Sequence, residues 1–387
     1  MTVSKNSGTL FEQTNHHQSL RAGVVNGGID TIMKQPEDLR YKSVDLPYYQ
    51  TTISPLLPST ILDFHAHAWD ADQWLTPPGV SNTDHIDSGS LGMHPAARYM
   101  STQLTYSVDQ LLADGKRIFP DKTYQAVFFG QPTPAIDLAK TNRSIAEQAR
   151  TGQLFPLRVT GKDQVSQEQL RQELLSGKFF GYKVFLDWIG NDYGHIQIED
   201  MIGSQEMQLA DEYHLIVLLH VPGARRLADP AIQRGVQILA QQYPNAQIVL
   251  AHCGRCYLPA EMKEAIHAIQ PLNNVYLDTS MVMDSTVLQI VFNHIDSSRV
   301  LFATDFPIAA MRGRRVRVMD HWVDVVLDGY PESDFRVASD QIHASFMAYE
   351  IVLAITTAAE MAGLKPGAVR DIFYNNGMRL LHSVQID

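Results

Sequence analysis

A closed barrel of eight parallel strands, each followed by a helix, is the fold this sequence predicts. Three observations predict it. Eight short runs rich in Val, Ile, Leu and Phe recur between residues 60 and 306. Stretches with helical spacing lie between most of them. The turn after the first run, "HAHAWDADQW", lacks the glycines with which a doubly wound open sheet cradles a phosphate. The runs are apolar at consecutive positions, which fits strands buried on both faces under covering helices.

The elements follow in chain order. Residues 1–58 are rich in Ser, Thr, Asn and Gln and carry Pro47, Pro55 and Pro58. They read as an N-terminal extension outside the main fold, loose at its start, with a short helix around Gly28–Leu39. The barrel is assigned to residues 59–387. Its strands are "TILDFHAH" (60–67), "QAVFFGQ" (125–131), "LFPLRVT" (154–160) and "GYKVFLDW" (181–188). They continue with "LIVLLHV" (215–221), "QIVLAHC" (247–253), "NVYLDTS" (274–280) and "VLFATDF" (300–306). Helical spacing marks residues 135–150, 167–177, 230–243, 259–269 and 285–295. Two insertions interrupt the rhythm. Residues 68–105 are too long for an ordinary connection, and loops of that length usually carry function. Beyond residue 308 the chain exceeds one helix. Residues 343–364 and 368–383 read as extra helices, with Gly363 ending the first and Pro366 opening the second.

Composition narrows the function classes. The 387 residues are 45% hydrophobic and 19% charged, as in an ordinary globular protein. A formal charge of −11 argues against a nucleic-acid binder, which carries a basic stripe. Cys253 and Cys256 are the only cysteines, so no disulfide framework holds the fold. No apolar stretch reaches the roughly 20 residues of a membrane span, and the first residues lack the apolar core of a secretion signal. The expectation is a cytoplasmic protein acting on a small molecule, with neither nucleic acid nor membrane as partner. A homodimer is the assembly considered, with the extension as a swapped arm.

In such barrels chemistry sits at the carboxyl ends of the strands. Those ends carry His65 and His67 on the first strand, Lys183 on the fourth, His220 on the fifth, His252 on the sixth and Asp305 on the eighth. His65 and His67 are two apart on a strand and so share a face. Neutral imidazoles and a carboxylate from separate strands can surround one divalent cation. With 15 histidines in the chain, His220 alone reads as a hydrogen-bonded core residue. Its conjunction with the same-face pair and Asp305 is what points to a metal.

Four phrases resemble the amidohydrolase superfamily of metal-dependent barrels, and in particular its amidohydrolase-related branch. They are "ILDFHAHAW" (61–69), "QIVLAHCG" (247–254), "SSRVLFATDFP" (297–307) and "IFYNNGMRLL" (372–381). The resemblance covers about residues 59–383. It implies that His65, His67, His220 and Asp305 hold one divalent metal, with zinc favoured and manganese the alternative. His252 is then a further imidazole beside the site or a fifth ligand, and Asp305 and His252 are the candidate proton acceptors. Lys183 stays open between a carboxylated bridge of two metals, a free ammonium near the substrate and a structural ion pair. The branch includes lactone and amide hydrolases, hydratases and non-oxidative decarboxylases such as aminocarboxymuconate-semialdehyde decarboxylase. The implied function is hydrolysis of a lactone, amide or ester by a metal-activated water. Decarboxylation of a small aromatic or unsaturated acid is the alternative, and a barrel that binds without catalysis the second alternative.

Further residues are candidates for the pocket. Arg255 could grip a substrate carboxylate in bidentate fashion or be a loop arginine. Trp69, Asp187 and Trp188 are expected to line the mouth, with His94 and Arg98 as further candidates in the long first loop. Asp278 is expected to orient a neighbouring histidine. "CGRC" (253–256) has redox spacing outside a redox setting and reads as packing. "MRGRRVRV" (311–318) reads as a solvated helix face.

Overall fold

The computed structural model describes residues 37–76, 90, 103–185, 194–326 and 344–386. All eight expected strands are present. They are β1 (Thr60–His67), β2 (Thr123–Phe129), β3 in two pieces (Leu154–Pro156 and Arg158–Thr160) and β4 (Gly181–Val184). Then come β5 (Ile216–Leu219), β6 (Gln247–Leu250), β7 (Val275–Asp278) and β8 (Val300–Leu301). Each pairs in parallel with the next. The first piece of β3 pairs with β2 and the second with β4. Pro156, at the break, has no N–H to give a ladder. The ring closes from β8 to β1 without a continuous ladder. The N–H of Phe64 donates to the Phe302 carbonyl at 2.9 Å, that of Asp305 to His65 at 2.9 Å and that of His67 to Phe306 at 2.8 Å.

Helices α1 (Val108–Ile118), α2 (Leu138–Glu147), α3 (Gln167–Gly177), α4 (Ser204–Glu212), α5 (Pro230–Gln242), α6 (Pro259–Ile269) and α7 (Ser285–His294) cover the strands. Five begin at a Ser or Asp whose side chain accepts a first-turn N–H: Ser107, Asp137, Ser166, Asp229 and Asp284. Beyond the barrel lie α8 (Met347–Met361), α9 (Pro366–Phe373) and α10 (Asn375–Ser383). Gly363, at φ 71°, ends α8, and Pro366 opens α9. The one helix expected over 368–383 is two, parted at Tyr374.

Alternate residues of the strands divide between two apolar clusters, as period two requires. The inner cluster takes Leu62 and Phe64 from β1, Val127 and Phe129 from β2, Ile216 and Leu218 from β5, Val249 from β6 and Leu301 from β8. Leu380 and Leu381 of α10 plug it from below. A side chain at Gly377 would meet Leu62 at 2.7 Å, so glycine is what lets α10 come that close. With the lower end filled, only the carboxyl ends of the strands remain for chemistry.

Two expectations need correction. Residues 37–58 do not lie outside the main fold. They form a helical segment to Leu56 whose Tyr49, Ile53 and Leu57 join the outer core. Asp45, fully buried, accepts from Arg312 Nε at 2.9 Å and Ser345 Oγ at 2.8 Å, and Tyr41 donates to the Arg117 carbonyl at 2.7 Å. Residues 1–36, with most of the expected short helix, are outside the described residues. The basic run 311–318 is not a helix face. It supplies strand β9 (Gly313–Val318), which pairs antiparallel with β10 (His321–Val326). Arg315 is buried there, with Nε and Nη2 on Asp324 at 2.9 and 2.8 Å and its guanidinium over the rings of both Tyr257 and Trp322.

Candidate active site

The site begins with an irregularity in β1. Asp63 pairs with Ala126 and Ala66 with Phe128, so β1 carries one residue more than β2 over that interval. Such a bulge re-aims the side chains beyond it. Phe64 is in the inner cluster, and the His65 ring lies 5.2 Å from that of Phe129, also inner. Asp63 faces the other way, to Tyr124 and Thr304. Four residues beyond the end of β8, Asp305 meets the histidines in a left-handed backbone conformation at φ 72°. Its Oδ1 is 3.2 Å from His67 Nε2 and 3.5 Å from His65 Nε2. The ligand atoms of His65, His67 and Asp305 therefore lie mutually within 4.8 Å, and those of His65, His252 and Asp278 form a second such triad. Either group could hold a metal ion.

His252 arrives on an unusual turn. His252, Cys253, Gly254 and Arg255 have φ of 55°, 50°, 69° and 59°, four consecutive left-handed residues. Each non-glycine member costs about 1–2 kcal/mol, and strain of this kind gathers at functional sites. A side chain at Gly254 would also meet Leu227 at 2.6 Å. The fully buried Asp278 holds the turn. Its Oδ1 accepts the His252 N–H at 2.7 Å and the Ser280 hydroxyl at 2.5 Å, and its Oδ2 lies 2.9 Å from His65 Nδ1.

These contacts fix two tautomers. A carboxylate only accepts, so His65 carries its proton on Nδ1 and turns a lone pair on Nε2 towards Lys183 Nζ, 3.1 Å away. His252 Nδ1 lies 3.1 Å from the Ser280 carbonyl, which also only accepts, and 2.8 Å from the Ser280 hydroxyl. His252 therefore carries its proton on Nδ1 and has its lone pair on Nε2.

Burial sets the charges. It lowers His67 to about 4 and His252 to about 3, and it pushes His220 well below the usual histidine range. The Asp305 carboxyl, which burial alone would raise, is drawn far below the usual range by the His67 hydrogen bond with His65 and His252. Asp278, likewise opposed by burial, is drawn down to about 2 by His65, His252 and Ser280. Neutral imidazoles beside ionised carboxylates are the protonation state that metal binding requires. Burial lowers Lys183 to about 8 against the pull of Asp278 and Asp305. Its Nζ sits 4.8 Å over the Phe129 ring, with no carboxylate at ion-pair distance among the described residues.

Of the four expected ligands, three converge. His220 belongs to neither triad. Its ring stands 4.3 Å from Phe185 and 5.3 Å from His252. Its Nδ1, like that of His67, is buried without a hydrogen-bond partner among the described residues. Arg255 is buried, donates to the Val221 carbonyl at 2.9 Å and lies close enough to lower His220 further. Trp69 is not at the mouth: it is 1% exposed, packs 5.7 Å from Tyr106 and donates its indole N–H to Gln103. Asp187, Trp188, His94 and Arg98 lie outside the described residues. Both cysteines are buried, and burial pushes their thiols up, as packing residues require. The sequence reading missed Asp63, Ser280, Phe129 and Phe185. Ser280 follows Asp278 by two, the one cue that could have joined it to the site.

A barrel whose strand ends gather imidazoles and carboxylates around a cation-sized space defines the class of metal-dependent barrel enzymes. The chain belongs to the amidohydrolase family: the family model described as Amidohydrolase matches residues 62–382. Among curated proteins nothing matches. Solved structures with a similar fold include an amidohydrolase 2 from Bifidobacterium longum subsp. infantis, 15% identical, covering 85% of this chain and 100% of that one with a TM-score of 0.50. The 5-carboxyvanillate decarboxylase of Sphingomonas paucimobilis is 12% identical, covering 84% and 99% with a TM-score of 0.51. A 2,6-dihydroxybenzoate decarboxylase from Rhizobium is 12% identical, covering 84% and 99% with a TM-score of 0.50. At these identities the likeness is one of fold. No helix among the described residues is long and apolar enough to cross a membrane.

Proposed function

We propose that the protein is a metal-dependent hydrolase of a small carbonyl substrate, a lactone, amide or ester. The observation that carries this is the tautomer of His252. With its proton held on Nδ1 by the Ser280 carbonyl at 3.1 Å, it offers Nε2 as an acceptor. Hydrolysis needs such an acceptor for the proton of the attacking water.

His65, His67 and Asp305 would hold the cation, with His220 as the fourth donor, because its buried Nδ1 and that of His67 have no partner among the described residues. When bound, such a cation acidifies water and polarises a carbonyl. The chain's own residues do the rest. Asp278 keeps the Nε2 lone pair of His65 turned inward, and with Ser280 it holds His252 in its accepting form. Phe129 and Phe185 wall the site with apolar rings against His67 and His220 and exclude water there. Arg255 is the candidate partner for a substrate carboxylate. The donor set of imidazole and carboxylate suits zinc, with manganese second, and one cation is the expected count. Small-molecule substrate, cytoplasmic location and homodimer complete the reading.

A second reading, decarboxylation of a small aromatic acid, draws on Lys183. Its buried Nζ, lying over aromatic faces with no carboxylate at ion-pair distance among the described residues, is a proton donor at hand for a ring carbon. Two similar folds belong to decarboxylases of such acids. Product analysis separates the readings. The purified protein, after elemental analysis for zinc and manganese, is offered lactones, amides and esters beside a panel of aromatic acids. Acid or amine release supports hydrolysis, and carbon dioxide release replaces it with the second reading. A chain that carries no metal and turns over neither panel leaves the binding protein.

A further inference from the structure

The β1 bulge is what turns His65 and His67 inward, and the bulge falls at the seam where the barrel closes without a continuous ladder. The Asp63 carboxylate, fully buried, fills that seam. Its Oδ1 accepts the His65 N–H at 3.1 Å, within the bulge on its own strand, and the Thr304 N–H at 2.9 Å on the opposite strand. Its Oδ2 accepts the Tyr124 hydroxyl at 2.8 Å from β2 and, at shorter range, the Thr304 hydroxyl. The Thr304 hydroxyl in turn accepts the Phe306 N–H at 3.1 Å. One side chain thus supplies the acceptors that an interrupted ladder fails to provide, for residues adjacent to Asp305 and inside the bulge that carries His65.

We infer that Asp63 is a positioning residue for the metal centre: it locks the bulged first strand to the eighth so that His65 and His67 meet Asp305. This rests on the metal-dependent reading above. A side chain that only stabilised the barrel would lower the melting temperature and leave the affinity of the folded protein for its ion unchanged. One that sets the ligand geometry changes that affinity, because outer partners of metal ligands typically govern it by about 10–100-fold.

The experiment measures zinc affinity of the full chain by competition with a chromogenic chelator, at a temperature where circular dichroism shows each variant folded. Asp63→Ala is expected to weaken zinc by about 10–100-fold. Asp63→Asn is expected to stay close to the parent. Its Oδ1 still accepts both N–H groups, and the two hydroxyls can turn to accept from Nδ2. If Asp63→Ala does not fold, Thr304→Val carries the test. It removes the hydroxyl that donates to Asp63 and accepts the Phe306 N–H, and should weaken zinc about fivefold or more, at about 1 kcal/mol for each hydrogen bond lost. A folded Asp63→Ala, or in its place Thr304→Val, that binds zinc like the parent overturns the inference and leaves the functional reading standing. So does an Asp63→Asn as weak as Asp63→Ala, since charge rather than position would then be at work. A parent that holds no zinc or manganese overturns the functional reading and this inference with it.

Discussion

The four histidines at the rim fall into two pairs that the protein treats differently. His65 and His252, 1% and 5% exposed, have every Nδ1 committed to Asp278 or Ser280. His67 and His220, each 9% exposed, have Nδ1 atoms with no partner among the described residues. A buried polar atom left unsatisfied is costly, so the second pair marks where the protein has left coordination to something it binds. The deep pair has each Nδ1 held by the protein and turns only Nε2 to the site, whereas the shallow pair is not held in this way. Asp305 touches one member of each pair, which makes it the sharpest point at which to break the contrast. Asp305→Asn should lower turnover by about three orders of magnitude or more, roughly 4 kcal/mol of barrier, and lose the metal by elemental analysis. The fold should persist by circular dichroism, because Asn is isosteric and tolerates the left-handed conformation found there. Full activity in this variant would remove Asp305 from the site.

Asp278→Asn strikes the deep pair alone. One acceptor oxygen is lost and the His65 tautomer is released, while the Ser280 carbonyl still fixes that of His252, so kcat should fall about 100-fold. Breaking a buried charged network should also destabilise the protein by about 3–5 kcal/mol, visible as a lower denaturation midpoint. The shallow pair should separate these effects. His220→Ala should weaken metal binding about 10–100-fold and lower the midpoint less than Asp278→Asn does, since its Nδ1 has no hydrogen bond to lose among the described residues. A midpoint drop as large as that of Asp278→Asn would mean that His220 is core, and the division into pairs would fail.

Much of the barrel was readable because its signals are local. Eight apolar runs, and Gly363 and Pro366 at the helix ends beyond them, are written at the places they act. The same-face placement of His65 and His67 survives because the extra residue in β1 lies at or before His65. Strict alternation, however, would put Asp63 on that face too, and the bulge sends it to the other. The hairpin was misread because arginine density suggested a solvated surface. The alternation of Arg315, Val316, Arg317 and Val318 was the better guide, but the burial of Arg315 is intelligible only with Asp324 opposite it. The helical segment 37–56 was hidden by the polar residues before it. Its reason to pack, Asp45 against Arg312, spans 267 positions of sequence. His220 was legible as a residue type at a strand end, whereas its place beside Phe185 rather than in either triad depends on backbone details that no periodicity encodes.

The smallest expected effect tests how the deep pair is held. Ser280 gives its hydroxyl to Asp278 Oδ1 and lies 2.8 Å from His252 Nδ1 and 3.3 Å from His65 Nδ1, so it touches every member of the network. Yet its backbone carbonyl, which no substitution removes, already fixes the His252 tautomer, and Asp278 fixes that of His65. Ser280→Ala therefore removes the hydroxyl's contacts with Asp278 and the two imidazoles while sparing both tautomers. It should cost about 1 kcal/mol of stability and lower kcat by about tenfold or less, with KM unchanged. A loss equal to that of Asp278→Asn would shift the control of both imidazoles from the carboxylate to the hydroxyl. The deep pair would then be tied by a group that can rotate, and its contrast with His67 and His220 would be one of degree.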